Sequence, residues 1–302
     1  MNQNIDTSFT YQVAIDYEPG ITRRDPSPVI KVNSLFYVWY TKATVDASGY
    51  YGSIWCATSP DGHTWTEQGE AIPTGPGNSW DSNGAFTPTT LVTSGAYYLF
   101  YTAVPKPFDN DNGGPNGTHT AIGAAVSSNP DGPWKKIATN PLLEPGTGDE
   151  LDTHRVDDAC FIVKDGKYWM YYKGRQKGLS PAQTRMFLAQ SDTPTGPYKK
   201  SPLNPIIDSG HEVCVWPHGN GIAAILSPTG PQGSTLQYSS DGLSFTKMAS
   251  INPGPPSAPG PYRADNYTEG QGPGITWGLC QDISSADRPF LLRFDCKLNA
   301  EG

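Results

Sequence analysis

One pattern recurs along the chain and limits what it can fold into. An aromatic-rich segment appears as FYVWYT (36–41), YYLFYT (97–102) and YWMYYK (168–173), with a weaker IAAIL at 222–226. Each is followed by a small-residue segment that runs into a turn and an aromatic: IWCATSPDGHTW (54–65), IGAAVSSNPDGPW (122–134), FLAQSDTPTGPY (187–198) and LQYSSDGLSF (236–245). Upstream of each aromatic segment a polar residue leads a short apolar stretch. These stretches are DPSPVIKV from Asp25, TPTTLV from Thr87, DACFIVKDG from Asp158 and EVCVWPHG from Glu212. Repetition of this kind decides the fold before any local reading does.

Each unit reads as three or four antiparallel strands. The dipeptides DG and TG are turn signals between strands, KDGKY is a hairpin signal, and Pro after Asp or Ser punctuates the outer turns. Gly (33) and Pro (29) are abundant while charged residues make up only 17%, which favours many short strands over long surface helices. Strand-only units of ~45 to 70 residues are the size of propeller blades. Four are visible, and the stretch 262–298 (GITWGLCQD, PFLLRFDCKL) joined by the N-terminal FTYQVAIDY would make a fifth. Closing a ring with strands from both chain ends protects sheet edges. The expected fold is all-β, a five-bladed β-propeller occupying 1–302 as a single catalytic domain. Two packed sandwiches are the competing arrangement. The near absence of helical patterning argues against a TIM barrel or a doubly wound sheet.

The formal net charge of −8 leaves no basic stripe for phosphates, so no nucleic-acid partner is expected. Cys56, Cys160, Cys214, Cys280 and Cys296 are odd in number, widely spaced and without a CxxC pair, so neither a zinc site nor a disulfide framework is expected. Nowhere do ~18 apolar residues run together, so no membrane helix is expected. The opening MNQNIDTSFTYQ has no basic n-region or apolar h-region. Cytoplasmic and periplasmic residence both stay open, because a signal could have been removed.

In a propeller the first strand of each blade lines the central channel, and its start opens onto one face. Asp25, Thr87, Asp158 and Glu212 stand there, three acids in four units. Two positions on, facing the same way by strand alternation, are Ser27, Thr89, Cys160 and Cys214, all small. Carboxylates converging on one cavity repel, and at least one pKa should rise. The arrangement suits glycoside hydrolysis, where one group protonates the leaving oxygen and another activates water or attacks the sugar. Arg23 or Arg24 is expected to hold Asp25 ionised, as a base should be. In RVDDAC either Asp157 or Asp158 could face the axis. Aligning blades three and two on Tyr172 and Tyr101 matches Asp158 to Thr87 and selects Asp158.

The segments RRDPSPVIKVNSLFYVWYTK, SWDSNGAFTPTTLV, HRVDDACFIVKDGKYWMYYKGR and SGHEVCVWPHG resemble glycoside hydrolase family 117. These are the α-1,3-(3,6-anhydro)-L-galactosidases that cut neoagarobiose, five-bladed propellers related to family 43. The resemblance covers roughly residues 20 to 230. It implies an inverting mechanism with Asp25 as general base, Asp158 as the carboxylate that orients and tunes the site, and His211 as general acid. Glu212 beside His211 would contact the sugar or a cation. Family 43 chemistry would instead make Glu212 the acid. Neighbouring Glu212 and Asp158 are expected to raise the His211 pKa and keep it protonated. Only one of His211 and Glu212 should point down the channel, since adjacent strand residues face opposite ways.

Further expectations concern binding. Trp80, Trp216 and Tyr267 are candidates for stacking on sugar faces, and Arg24, Arg155, His154 and Thr87 for contacting hydroxyls. DNDNGGPNG (109–117) lacks the spacing of an EF-hand and is read as a loop at the rim of the site. Acid/base hydrolysis requires no cofactor and no metal; a divalent cation near the axis would find ligands in Glu212, His211 and water. The expected partner is an oligosaccharide substrate. Family 117 dimers swap an N-terminal helical extension that is largely missing ahead of Asp25, so the oligomeric state is left open. Two non-catalytic readings compete. A glycan-binding propeller would repeat one pocket, whereas the lead residues here differ from blade to blade. A WD-type scaffold would repeat Gly-His and Trp-Asp signatures, and SWDS occurs once. An arabinosidase or xylosidase of the family 43 kind remains the catalytic alternative.

Overall fold

The computed structural model describes residues 5–106, 119–282 and 287–300. The DNDNGGPNG loop expected at the rim lies outside them. The described residues form a ring of five antiparallel blades. Blade one runs from a divided inner strand, Thr22–Arg24 and Ile30–Val32, through Leu35–Ala43 and Ser53–Ser59 to Thr66–Ile72. Blade two is Gly84–Thr93, Ala96–Val104, Ala121–Ser127 and Lys135–Lys136. Blade three repeats this with Arg155–Lys164, Lys167–Arg175, Arg185–Ser191 and Lys199–Lys200. Blade four is Val213–Gly219, Gly221–Leu226, Thr235–Ser239 and Thr246–Ser250.

Blade five closes the ring. Its inner strand is Ser257–Pro261, followed by Gly272–Asp282 and Phe290–Asn299, and its outermost strand is Thr10–Ile15 from the other end of the chain. The inner strand falls ahead of the 262–298 stretch expected from sequence, because SAPGP offers neither an acid nor an apolar run to mark it. Arg23 N–H donates to the Pro289 carbonyl at 2.8 Å, and Val29 N–H to that of Pro261 at 3.0 Å, so blades one and five are tied by backbone as well as by packing.

The repeat has a packing reason. The aromatic segment is the second strand of its blade, covered on both faces by neighbouring blades, and Trp39, Tyr40, Phe100, Tyr101, Tyr171 and Tyr172 are all buried there. A strand buried on both faces reads as a continuous apolar run. The turn glycines Gly62, Gly132, Gly196 and Gly242 all sit at φ between +75° and +87°, which residues with a Cβ adopt at a cost. A second repeat was hidden in polar residues. Asp81 accepts from Tyr101 Oη at 3.1 Å and pairs with Lys136 at 2.6 Å; Asp152 accepts from Tyr172 Oη at 2.8 Å and pairs with Lys200 at 2.8 Å. In blade one Glu67 accepts from Tyr40 Oη and pairs with Lys42 and Arg23. In blades two and three a buried carboxylate thus pins the stretch that leads into the inner strand.

The channel is stopped at one end. After Pro261 the chain touches the inner strands of three other blades: Tyr262 bridges to Val29, Arg263 Nη1 donates to the Phe161 carbonyl at 2.9 Å, and Tyr267 Oη lies 2.6 Å from Thr90 Oγ1. Tyr267 and Arg263 are buried, with the guanidinium 4.0 Å from the Tyr267 ring centroid. Tyr267 is therefore part of a plug rather than a sugar-stacking aromatic.

Replacing Asp152 by Ala would leave the Tyr172 hydroxyl and the Lys200 ammonium without their acceptor. The expected loss is about 2–4 kcal/mol of unfolding free energy, read from urea denaturation.

Candidate active site

Above the plug the five inner strands converge on one depression lined by Asp25, Thr87, Asp158, Glu212, Ala258 and the residues that follow them. Asp25, Thr87, Asp158 and Ala258 all have positive φ, +51°, +46°, +50° and +45°. In blades two, three and five this left-handed residue coincides with a register shift. Such a bulge puts an extra residue into the inner strand and re-aims its side chain. Simple alternation therefore fails here. The lead residue and its immediate successor, Pro26, Pro88, Ala159, Val213 or Pro259, both line the floor. Of the residues two positions on, Thr89 and Cys160 line the depression as expected, whereas Ser27 and Cys214 do not; the Ser27 Oγ accepts from Trp39 N–H at 3.1 Å.

The choice between neighbours resolves cleanly. Asp158 and Glu212 line the depression, while Asp157 and His211 stand behind them. Arg24, rather than Arg23, holds the first acid: its Nε lies 2.8 Å from Asp25 Oδ2. Arg23 instead pairs with Glu18 and Glu67. Lys173 Nζ sits 2.7 Å from Asp158 Oδ2 and 3.7 Å from Asp157 Oδ2. The Ala258 N–H donates to Glu212 Oε2 at 2.7 Å. Thr87 turns its hydroxyl to Thr102 Oγ1 at 2.7 Å and its N–H to Thr41 Oγ1 at 2.9 Å.

Electrostatics separates the acids. Burial pushes the Asp158 carboxyl up to about 7, with Asp157 and Asp25 adding to the rise and Lys173 opposing it. Burial also raises Glu212, assisted by the charge on Asp25. Expected crowding of carboxylates thus adds to a rise that burial leads at Asp158 and Glu212. His211 goes the other way from expectation. The Lys173 ammonium first, and burial second, bring it down to about 3, and its Nδ1 faces the Pro181 carbonyl at 3.2 Å. A cation behind Asp158 outweighs the carboxylates that were expected to keep the imidazole protonated.

Lys173 and Ala258 were not singled out from the sequence, yet both left a trace. Lys173 occupies the place that Thr41 and Thr102 hold in blades one and two, one residue after the pinned tyrosine. Ala258-Pro259-Gly260 repeats the spacing of Asp25-Pro26-Ser27 and Thr87-Pro88-Thr89. Two aromatic candidates are corrected. Trp216 is 1% exposed inside the blade-four core, because it follows the lead residue along the strand into the interior. Trp80 stacks on Tyr101 with centroids 5.3 Å apart and its indole covers Gly123, so blade-two packing holds it away from the floor. Arg155 is buried at the start of the blade-three inner strand, with its guanidinium 5.6 Å from the Tyr50 ring. Among the described residues no group of three or more His, Cys, Asp or Glu side chains is placed to hold a metal ion. Glu212 and His211 therefore lack a third protein ligand of those types there.

Converging carboxylates over a stopped channel define a propeller glycoside hydrolase. The family model "Glycosyl hydrolases family 43" matches residues 19–186. Among solved structures the chain is similar to Zg3597, a family 117 glycoside hydrolase produced by the marine bacterium Zobellia galactanivorans. The two share 31% sequence identity over 98% of this chain and 93% of that one, with a TM-score of 0.88. The chain belongs to glycoside hydrolase family 117, on the propeller fold it shares with family 43. The α-L-arabinofuranosidase PaAbf62A from Podospora anserina covers 99% of this chain and 100% of its own at 12% identity and a TM-score of 0.64, a likeness of fold alone. So is that to fructan 1-exohydrolase IIa from Cichorium intybus, with 15% identity over 95% of this chain and 57% of that one and a TM-score of 0.62. No curated protein matches the sequence.

The raised Asp158 pKa has a consequence for stability. Between its ordinary value of 3.8 and about 7 the folded protein holds a proton that the unfolded chain has released. Stability from the neutral form is therefore complete below about pH 4 and is lost as pH rises through 7. Asp158→Asn is expected to flatten this fall by about 2 kcal/mol, after discounting for Lys173, in unfolding measured from pH 4 to 8.

Proposed function

We propose that the protein is an exo-acting, inverting glycosidase that releases one terminal sugar, with 3,6-anhydro-L-galactose from neoagaro-oligosaccharides such as neoagarobiose as its substrate. The observation that carries the exo reading is the stopped channel: a depression over a plug receives a chain end and gives a polymer no passage. Family membership supports the anhydrosugar. The match to the family 43 model supports an arabinoside or xyloside as the second reading.

In this reading Asp25, paired with Arg24, takes the proton from the attacking water. Inversion needs roughly 6.5–9.5 Å between base and acid so that water fits between base and sugar. Asp158 orients the sugar while Lys173 supplies its counter-charge. The proton donor belongs to the His211–Glu212 pair. Glu212 is favoured by its place on the floor and its raised pKa, which keeps a carboxylic acid available to the leaving oxygen. The family resemblance favours His211, which would have to gain its proton as substrate displaces charge from Lys173.

Incubation with neoagarobiose, aryl arabinosides and aryl xylosides, with the anomer of the product followed by NMR, tests the assignment. Asp25→Asn is expected to lower kcat/KM by about 10²–10⁴ with little change in KM. Unchanged turnover would remove the assigned base. The donor is read from the alkaline limb of kcat/KM. Glu212→Gln is expected to abolish that limb along with most activity, whereas His211→Gln should keep it; the reverse pattern hands the role to His211.

A further inference from the structure

The outer half of blade four carries one residue that the repeat does not explain. Two places before the serine that closes the third strand, at Ser59, Ser127, Ser191 and Ser239, stand Ala57, Ala125, Ala189 and Gln237. The three alanines are fully buried, as close packing between blades requires. Gln237 is 2% exposed and so almost as deep, yet it carries an amide. A polar group in such a place costs stability unless it is hydrogen-bonded.

Only half of that amide is matched. Its Nε2 donates to Gln232 Oε1 at 3.1 Å and to Thr235 Oγ1 at 3.2 Å, while its Oε1 accepts from no described residue. The oxygen opens instead into a groove whose lining includes Gln232, Thr235, Gln237, Phe245, Lys247 and Asn252. The walls are held in place: Gln232 N–H donates to the buried Ser209 Oγ at 2.9 Å, and Thr235 Oγ1 donates to the Gln232 carbonyl at 2.6 Å. Phe245, half-buried, meets Tyr171 edge-on with centroids 6.2 Å apart, and Lys247 stands opposite Gln237 in the ladder. The groove reaches toward the mouth of the active site. Thr235 pairs with Leu226, which pairs with Val213 of the floor, so two strand spacings, about 10 Å, separate the groove's upper end from that floor.

A sugar hydroxyl both donates and accepts, and a sugar ring presents C–H faces to an aromatic. The groove offers that mixture, an acceptor at Gln237, an amide at Gln232 and an ammonium at Lys247 beside the ring of Phe245: a few placed polar groups against an aromatic wall. We propose that it is an accessory glycan site, with Gln237 at its base, that holds sugar units remote from the bond being cut. The site deepens the glycosidase reading and rests on it for the kind of chain it takes. It also accounts for the glutamine in blade four where three blades keep alanine.

Calorimetric titration of the full chain carrying Asp25→Asn, so that the glycan stays intact, tests this with neoagarohexaose, arabinohexaose and xylohexaose, each against its own disaccharide. At least one hexaose is expected to bind ten-fold or more tightly than its disaccharide. Gln237→Ala, which restores the residue of the other blades, should remove that advantage. So should Gln232→Ala combined with Lys247→Ala, two exposed side chains whose loss is expected to leave Tm in place. Equal binding of every hexaose and its disaccharide, or an advantage that survives both variants, overturns the site. So does an advantage lost only together with a fall in Tm, which would make these side chains structural. Turnover of the three disaccharides by the unaltered protein is followed separately: a chain that cleaves none of them, yet shows a hexaose advantage that the variants remove, keeps the groove and discards only the catalytic assignment.

Discussion

The site depends on a backbone constraint repeated around the ring: the lead residue of an inner strand is forced into the left-handed region. Asp25, Thr87, Asp158 and Ala258 all adopt it, and none is glycine. For β-branched Thr87 this is a costly conformation, met by hydrogen bonds to Thr41 and Thr102. In return the bulge brings side chains from separate blades onto one floor and turns a backbone N–H, that of Ala258, toward Glu212. An unbulged strand would send alternate residues to opposite faces and thin out the floor.

Converging acids create an electrostatic problem that the blades solve one by one. Asp25 has Arg24 from its own strand, Asp158 has Lys173 from the adjacent strand, and Glu212 accepts an N–H from blade five. The differences sort the carboxylates chemically: one is paired with a guanidinium, and two are lifted by burial, one of them beside an ammonium and the other accepting a backbone N–H. Lys173 reaches further still, since its charge also drains the basicity of His211. One ammonium thus tunes two groups at once.

Much of this was legible in the residues. The aromatic strand, the small-residue strand and the turn glycine repeat in register because neighbouring blades impose the same packing on each unit, so Asp25, Asp158 and Glu212 could be placed on one face. Asp158 over Asp157 followed from counting back from Tyr172. Less visible were features made by distant parts of the chain. Ala258 lacks the polar side chain that flagged the other lead residues. Trp216 looked like a sugar platform only because sequence does not show that its strand dives into the core. The basicity of His211 depended on Lys173, thirty-eight residues earlier, whose ammonium meets Asp158 across the blade-three ladder.

The plug made by Tyr262, Arg263 and Tyr267 closes the axis beneath the depression. For the exo-acting glycosidase proposed above, this would place the freed monosaccharide beneath the remainder of the glycan. Departure would then be ordered, outer fragment first, and a high concentration of the shortened glycan would trap the sugar behind it.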